Sequence, residues 1–462
     1  MDKGGAASEV WVAAQVAGAT HELFVVPVGL SYEKIIEDAT YSRELAGASK
    51  EKEGLGALLK TPRVLADRFG RLTVKFGDPI SLRDEVAPFE NPSLLYELNS
   101  QARDMSPALQ LLLKKVAYRT LDGINSVILA TPTAFAAWAL LAHPLRGLRR
   151  DALLLRVGFL VDHLCRSSLP LAPTLQVALD SSKPELEQAR NEVSPESELG
   201  EAEKEYGEGV AYYRAIGKAV VPMIDEALGM FERAGNVEVK DYGDTKVYQT
   251  VSKNRAAMDY YKNTIMHAFA QEGLLATALL HAKEVDGAVR KDSVETDCAI
   301  LSRLLKYEFI YGSGKSFSES FSDTWDAFED MGWVQPTEEG HRVLPAKEPM
   351  LRFLKHGVLP FIEAYHLTCL YMEKLSEPEL EREFLLSVVA EGHKLFELGE
   401  LQLREACSTA TVRNALRVLR ELGVVKTEYD GKKAFVSQGD DQAKAILDDF
   451  ASQLRSWCQE SR

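Results

Sequence analysis

The chain has 462 residues, too many for one hydrophobic core, so several domains are expected. It is 46% hydrophobic and 27% charged, the balance of a soluble globular protein. Its net charge of −15 argues against a general nucleic-acid binder and leaves room only for a local basic patch. Cys165, Cys298, Cys369, Cys407 and Cys458 lie far apart without a CxxC pair; they spell no metal site and suit a reducing compartment.

Residues 1–90 read as part of an α/β domain. No charged segment followed by an apolar core opens the chain, so no secretory signal is expected. An apolar strand at 23–30, expected to be buried on both faces, runs into a polar Ser31-Tyr32-Glu33 corner. Ligands collect at such strand ends in α/β enzymes. A charged helix is predicted over 35–59 and a second strand over 71–77, closed by the turn Gly77-Asp78-Pro79. Strand, helix, strand is a crossover unit that needs neighbouring strands, so the domain reads as cut.

Residues 91–181 are helical in pattern, with apolar faces at 109–116 and 153–160. The apolar run at 127–142 is interrupted by Thr131-Pro132-Thr133 and is short of the ~20 residues that span a bilayer. A buried helix starting near Pro132 is expected. Trp138, with Arg146, Arg149 and Arg150, keeps a lipid-surface reading open. The acidic stretch 182–209 reads as a linker or loop.

Residues 210–345 resume helical periodicity, unbroken through Leu280, and end in a helix at 321–331 followed by a short hairpin. The last region, 346–462, repeats that logic: a helix at 410–422, Gly423, then a hairpin with Asp430-Gly431 at its turn. Both resemble winged-helix modules. Arg413, Arg417, Arg420, Lys432 and Lys433 would serve a DNA binder, but a protein scaffold suits an acidic chain better. The predicted fold class is α+β, predominantly helical.

Other chemical signals are weak. The segment Tyr311-Gly-Ser-Gly-Lys-Ser316 lacks the glycine a phosphate-binding loop needs five residues before Gly314, where Phe309 stands. His281 and Asp286 have H-x4-D spacing but lie in a helical pattern, and His163, His267, His366 and His393 are scattered singly.

A set of separated blocks is more specific. Phe24-Val-Val-Pro-Val-Gly-Leu-Ser-Tyr-Glu33, Tyr41-Ser-Arg-Glu-Leu-Ala-Gly47 and Lys50-Glu-Lys-Glu53 resemble the fourth conserved block of the glycerol-3-phosphate and dihydroxyacetone-phosphate acyltransferases. Val74-Lys-Phe-Gly-Asp-Pro79, Tyr260-Tyr-Lys-Asn-Thr-Ile-Met-His267 and Leu304-Leu-Lys-Tyr-Glu-Phe309 resemble later blocks of that family, in the same order. The resemblance implies fatty acyl transfer from acyl-CoA or acyl carrier protein to glycerol 3-phosphate, without cofactor or metal, at the cytoplasmic face of a membrane. It carries substrate-site roles to Val26, Pro27, Val28, Ser31, Tyr32 and Glu33; their plain alternative is packing at a strand end. The family's H-x4-D base, its second-block arginine and its E-G-x-R block are not found before the first strand. The expectation is therefore a truncated C-terminal portion, inactive alone, partnered by an upstream acyltransferase half. The alternative is a non-catalytic interaction protein.

Overall fold

The computed structural model describes residues 22–35, 70–87, 107–143, 147–166, 169–192, 206, 209–282, 288–311 and 314–459. Four short strands open it: β1 (Phe24–Val25), β2 (Val28–Tyr32), β3 (Leu72–Phe76) and β4 (Ile80–Ser81). They pair as two antiparallel ribbons, β1 with β4 and β2 with β3, with Val28 opposite Phe76 and Tyr32 opposite Leu72. This corrects the expected crossover unit, whose strands would run parallel. The first predicted strand is split at Pro27. Its helix at 35–59 lies outside the described residues.

Nor is that strand buried on both faces. From Phe24 to Glu33 the side chains alternate, with Val25, Pro27, Gly29, Ser31 and Glu33 covered and Phe24, Val26, Val28, Leu30 and Tyr32 exposed. The covered face rests on α2 (Pro107–Val127), which follows the short α1 (Leu82–Val86). Two glycines allow the close approach. A Cβ on Gly29 would lie 2.8 Å from the Val127 carbonyl oxygen, and one on Gly123 would lie 2.6 Å from the Pro27 ring.

Helix α3 (Pro132–Leu141) has Thr131 as N-cap and Pro132 in its first turn, and all ten of its residues are buried. Trp138 is fully buried, edge-on to Phe269 at 4.5 Å and stacked on Phe353 at 6.0 Å. The buried-helix expectation holds, and Trp138 has no route to a lipid surface. Next in the chain come β5 (Leu148–Arg149), α4 (Arg150–Arg166), which packs against α3, and α5 (Pro173–Ser181).

The acidic stretch is not simply a loop. It begins with α6 (Lys183–Arg190), which buries Leu186 and Ala189. Helical periodicity after Val210 is also broken. Helices α7 (Val210–Ala219) and α8 (Val221–Arg233) lead into a hairpin, β6 (Val237–Asp241) and β7 (Lys246–Thr250), before α9 (Arg255–Asn263) and α10 (Ala270–His281). Gly235 (φ +72°) ends α8 and lets the chain turn into β6.

Then come α11 (Lys291–Leu304), α12 (Phe317–Asp330) and the hairpin β8 (Val334–Pro336) with β9 (His341–Val343). The 27-residue α13 (Glu348–Lys374) is the spine of the C-terminal half and packs against α10. After β10 (Glu379–Leu380) and α14 (Glu381–Glu397) follow α15 (Thr409–Glu421), the strands β11 (Val425–Asp430) and β12 (Lys433–Gln438), and α16 (Asp441–Cys458). Both expected helix-then-hairpin units are present in order. The whole is α+β and mainly helical.

Glu308, in the Leu304–Phe309 block, receives the Tyr365 hydroxyl at 3.2 Å, and burial raises its pKa to about 7. A carboxyl raised in the folded state costs stability as pH climbs from its unfolded value toward 7, and the cost levels off above that. Glu308→Gln removes the titration. The variant should gain about 3 kcal/mol over the parent at pH 8 and little at pH 4.5, checked by urea unfolding at both pH values.

Candidate functional site

The site is built where the β2–β3 ribbon meets α9. Within the 24–33 run, Pro27 and Ser31 point inward and anchor the strand. The Pro27 carbonyl accepts the Gly77 N–H at 2.8 Å, and the Ser31 hydroxyl accepts the buried Leu129 N–H at 2.9 Å. Glu33 closes the corner as a clasp. Its carboxylate accepts the Arg71 backbone N–H at 2.9 Å and the Arg71 guanidinium at 3.2 Å, while its own N–H donates to the Arg71 carbonyl at 3.0 Å. Glu33 in turn raises the Arg71 guanidinium above its usual value. Arg71 also reaches Glu226 on α8 at 3.4 Å. With its oxygens so engaged, Glu33 fixes the backbone and is poorly placed to move a proton.

Beyond the corner, the Ile35 N–H donates to the buried Tyr261 hydroxyl at 3.0 Å, joining residues 226 positions apart. Between these anchors lies a cavity of about 330 Å³. Leu30, Tyr32 and Ile35 form one wall, Ile128 and Leu129 the next, and Tyr260 of α9 with Thr264, the residue that caps its end, the third. Ser31 and Thr131 add hydroxyls, the latter bonded to Thr133 at 3.0 Å. Its described lining is therefore aliphatic, aromatic and hydroxyl-bearing, with no charged side chain. Such a surface suits an apolar chain or the neutral part of a polar ligand. It offers no cation for a phosphate and no base for a hydroxyl nucleophile.

Among the six residues carried over by resemblance, Ser31 and Tyr32 line the cavity, Glu33 and Pro27 support it from behind, and Val26 and Val28 face outward. The block Tyr260–His267 divides its work similarly. Tyr260 and Thr264 line the cavity, and Tyr261 holds Ile35 just beyond β2. The His267 imidazole, its pKa lowered by burial, sits 3.2 Å from the Asn125 carbonyl. Lys262 is buried against Asp259 at 2.7 Å, with the Gly357 carbonyl of α13 at 3.4 Å. Residues that sequence reasoning missed, Ile128, Leu129 and Thr131, stand in the turn between α2 and α3. Their only signal is the break at Thr131-Pro132.

The weaker motifs resolve locally. His281 ends α10 and lies 3.4 Å from Ser456, away from the cavity, and Asp286 is outside the described residues. Ser316 forms a capping box with Glu319 at the start of α12, and Lys315 pairs with Asp323. On α15, Arg417 stacks over the Tyr307 ring at 3.9 Å, and Arg420 bonds Thr427 at 2.8 Å and Glu381 at 2.6 Å. Two of the three arginines a DNA reader would use are therefore held by the chain itself. His163, nearly buried, pairs with Glu272 at 3.0 Å, a satisfied structural histidine.

A family model described as the glycerol-3-phosphate acyltransferase C-terminal region matches residues 41–193 and 207–428, and the chain belongs to that family. It is 26% identical over 413 residues to the dihydroxyacetone phosphate acyltransferase of Oryctolagus cuniculus, covering 88% of this chain and 54% of the relative. It is 27% identical over 414 residues to that of Homo sapiens, again covering 88% of this chain and 54% of the relative. With the glycerol-3-phosphate acyltransferase of Pasteurella multocida it shares 23% identity over 362 residues, 78% of this chain and 39% of the relative. The chain thus spans about half the length of the curated relatives it matches. Among the described residues no helix is long and apolar enough to cross a membrane.

Tyr261→Phe deletes the partner of the Ile35 N–H and leaves that donor without its acceptor, a loss of about 1–2 kcal/mol. Local amide exchange at residues 30–35 should speed up roughly tenfold, the kinetic equivalent of that loss. Circular dichroism of the helical body should be unchanged.

Proposed function

We propose that this chain forms the C-terminal part of an acyltransferase that moves a fatty acyl group from acyl-CoA or acyl carrier protein to glycerol 3-phosphate or dihydroxyacetone phosphate. One observation carries the reading. Two blocks that resemble the family, 24–33 and 260–267, meet at a single uncharged cavity although more than 200 residues separate them. In this reaction a hydroxyl attacks a thioester carbonyl, a base takes its proton, and a thiol leaves. An apolar wall with hydroxyls suits the acyl chain and thioester. The base and the cations for the phosphate belong, on this reading, to an acyltransferase half bearing H-x4-D and E-G-x-R, which meets the Ser31–Glu33 corner. The helix–hairpin units serve as winged-helix-like scaffolds, and the assembly works at the cytoplasmic face of a membrane.

A purified chain should give no acyl transfer to either acceptor above background. Joined to the portion of a longer relative that carries H-x4-D, it should turn over. In the joined protein Thr264→Phe, which fills the cavity, should raise KM for a long-chain acyl donor at least tenfold and leave KM for the phosphate acceptor within twofold. Turnover by the chain alone would overturn the assignment of the base, and His281→Ala would then locate the group responsible.

A further inference from the structure

A second cavity, of about 850 Å³, lies between the β6–β7 hairpin and the helices α4, α7 and α8. It shares no described lining residue with the cavity at Tyr32 and Tyr260. Its walls are fixed by close backbone contact. A Cβ on Gly217 would stand 2.4 Å from the Leu154 carbonyl oxygen, so α7 lies directly on α4. Strand β7 joins β5 to β6, and Gly243 (φ +81°) turns the hairpin tip, where the Asp241 carboxylate accepts the Gly243 N–H at 2.9 Å. A cleft of this volume, framed by helices and a sheet, is preformed on the scale of small-molecule sites.

The lining has two parts. Ala152, Leu154, Leu155, Val221, Leu228 and Val239 supply an apolar surface. Around it stand five cations, Arg149, Arg150, Arg214, Lys218 and Lys246, and four acids, Asp151, Asp225, Glu232 and Asp244. Two of the acids are engaged: Arg149 holds Asp151 at 3.0 Å, and Arg150 holds Asp225 at 2.7 Å. Lys218 and Lys246 have no acid partner among the described residues. Glu232 stands two turns beyond Asp225, about 10 Å farther along α8. Arg150 is set in place, because it binds both Asp225 oxygens and also the nearly buried Tyr248 hydroxyl. Burial, with the Asp225 charge second, raises the Tyr248 phenol, so it stays protonated. With its oxygen accepting from Arg150, Tyr248 keeps its own O–H to donate. Donors that arrive from α4, α7 and β7 suit a tetrahedral oxyanion better than a planar carboxylate.

We propose that this cleft is a second ligand site, which takes a phosphate ester with an apolar or aromatic body. Arg150, Lys218 and the Tyr248 hydroxyl hold the phosphate oxygens, and Lys246 adds charge from β7. The body of the ester lies on Leu154, Leu228 and Val239. Glu232 repels a second anionic group at the far end, so a ligand charged at one end is preferred. The inference does not depend on the acyl-transfer reading, and the two stand or fall separately.

Isothermal titration of the purified full chain with hexyl phosphate tests the site. Hexyl phosphate should bind about tenfold more tightly than hexanol, which lacks the anion, and than inorganic phosphate, which lacks the body. Lys218→Glu with Lys246→Glu should weaken it about tenfold while the helical circular dichroism persists. Amide exchange at 237–250 in the parent chain should slow on binding. Binding heat without that protection would place the ligand elsewhere and overturn the site, whether or not the double variant folds. Hexanoate bound as tightly as hexyl phosphate would overturn the phosphate assignment. Adenosine monophosphate supplies the aromatic body: tighter binding than hexyl phosphate makes the ligand a nucleotide, weaker binding makes it aliphatic, and either supports the site. Failure of both esters to bind, or unchanged affinity in the folded double variant, overturns it.

Discussion

The hydrogen bond from the Leu129 amide to the Ser31 hydroxyl holds the ribbon to the helical body at the point where the cavity forms. It is buried, so leaving either partner unmatched would cost the full desolvation of a polar group. Its neighbours depend on it in sequence. With Ser31 held, Glu33 reaches Arg71, Arg71 reaches Glu226 on α8, and Ile35 reaches Tyr261 on α9. The Gly29 and Gly123 contacts set how close strand and helix stand, and these polar links set the register. Few direct bonds thus pin a short strand to a large helical mass.

That mass has its own polar constraint. Arg255 pairs with Glu405 at 2.7 Å, and Lys262 with Asp259 at the same distance; Lys262 and the Glu405 carboxylate are almost wholly buried. Burial pushes the Asp259 carboxyl up, which shows the desolvation that the pairing must offset. Buried ion pairs of this kind add little net stability but penalise any packing that separates them. Since Arg255 and Lys262 share α9 with Tyr260 and Tyr261, the bonds from Arg255 to Glu405 and from Lys262 to the Gly357 carbonyl also fix the rotation of the helix that forms the cavity wall.

How much of this was legible depended on the residue in question. Thr131-Pro132 marked the start of α3 because a hydroxyl cap and a proline have only one good place in a helix. The run at 23–30 was legible as strand, since it is nearly all apolar. Its burial was not: apolar residues on both faces look the same whether this chain or another surface covers them. The hairpin at 237–250 was hidden between strong helical patterns, although Val237, Val239 and the turn glycine Gly243 carried its signal. Helix α6 escaped notice because only Leu186 and Ala189 of its eight residues are buried. The cavity could not be read from spacing at all. Its second wall comes from the turn at Ile128 and Leu129, and its third from residues more than 200 positions beyond the first.

The break at Pro27 has a further consequence. The Gly77 N–H bonds the Pro27 carbonyl between the two ribbons, so strands of only two and five residues replace one continuous strand. Long, flat apolar edges recruit copies of themselves into growing sheets, and short, interrupted ones do so poorly. The interruption lets this chain carry a bare apolar ribbon through synthesis and storage with less risk of polymerising along it. A feature that reads locally as a broken strand acts, for the population of molecules, as a guard against fibres.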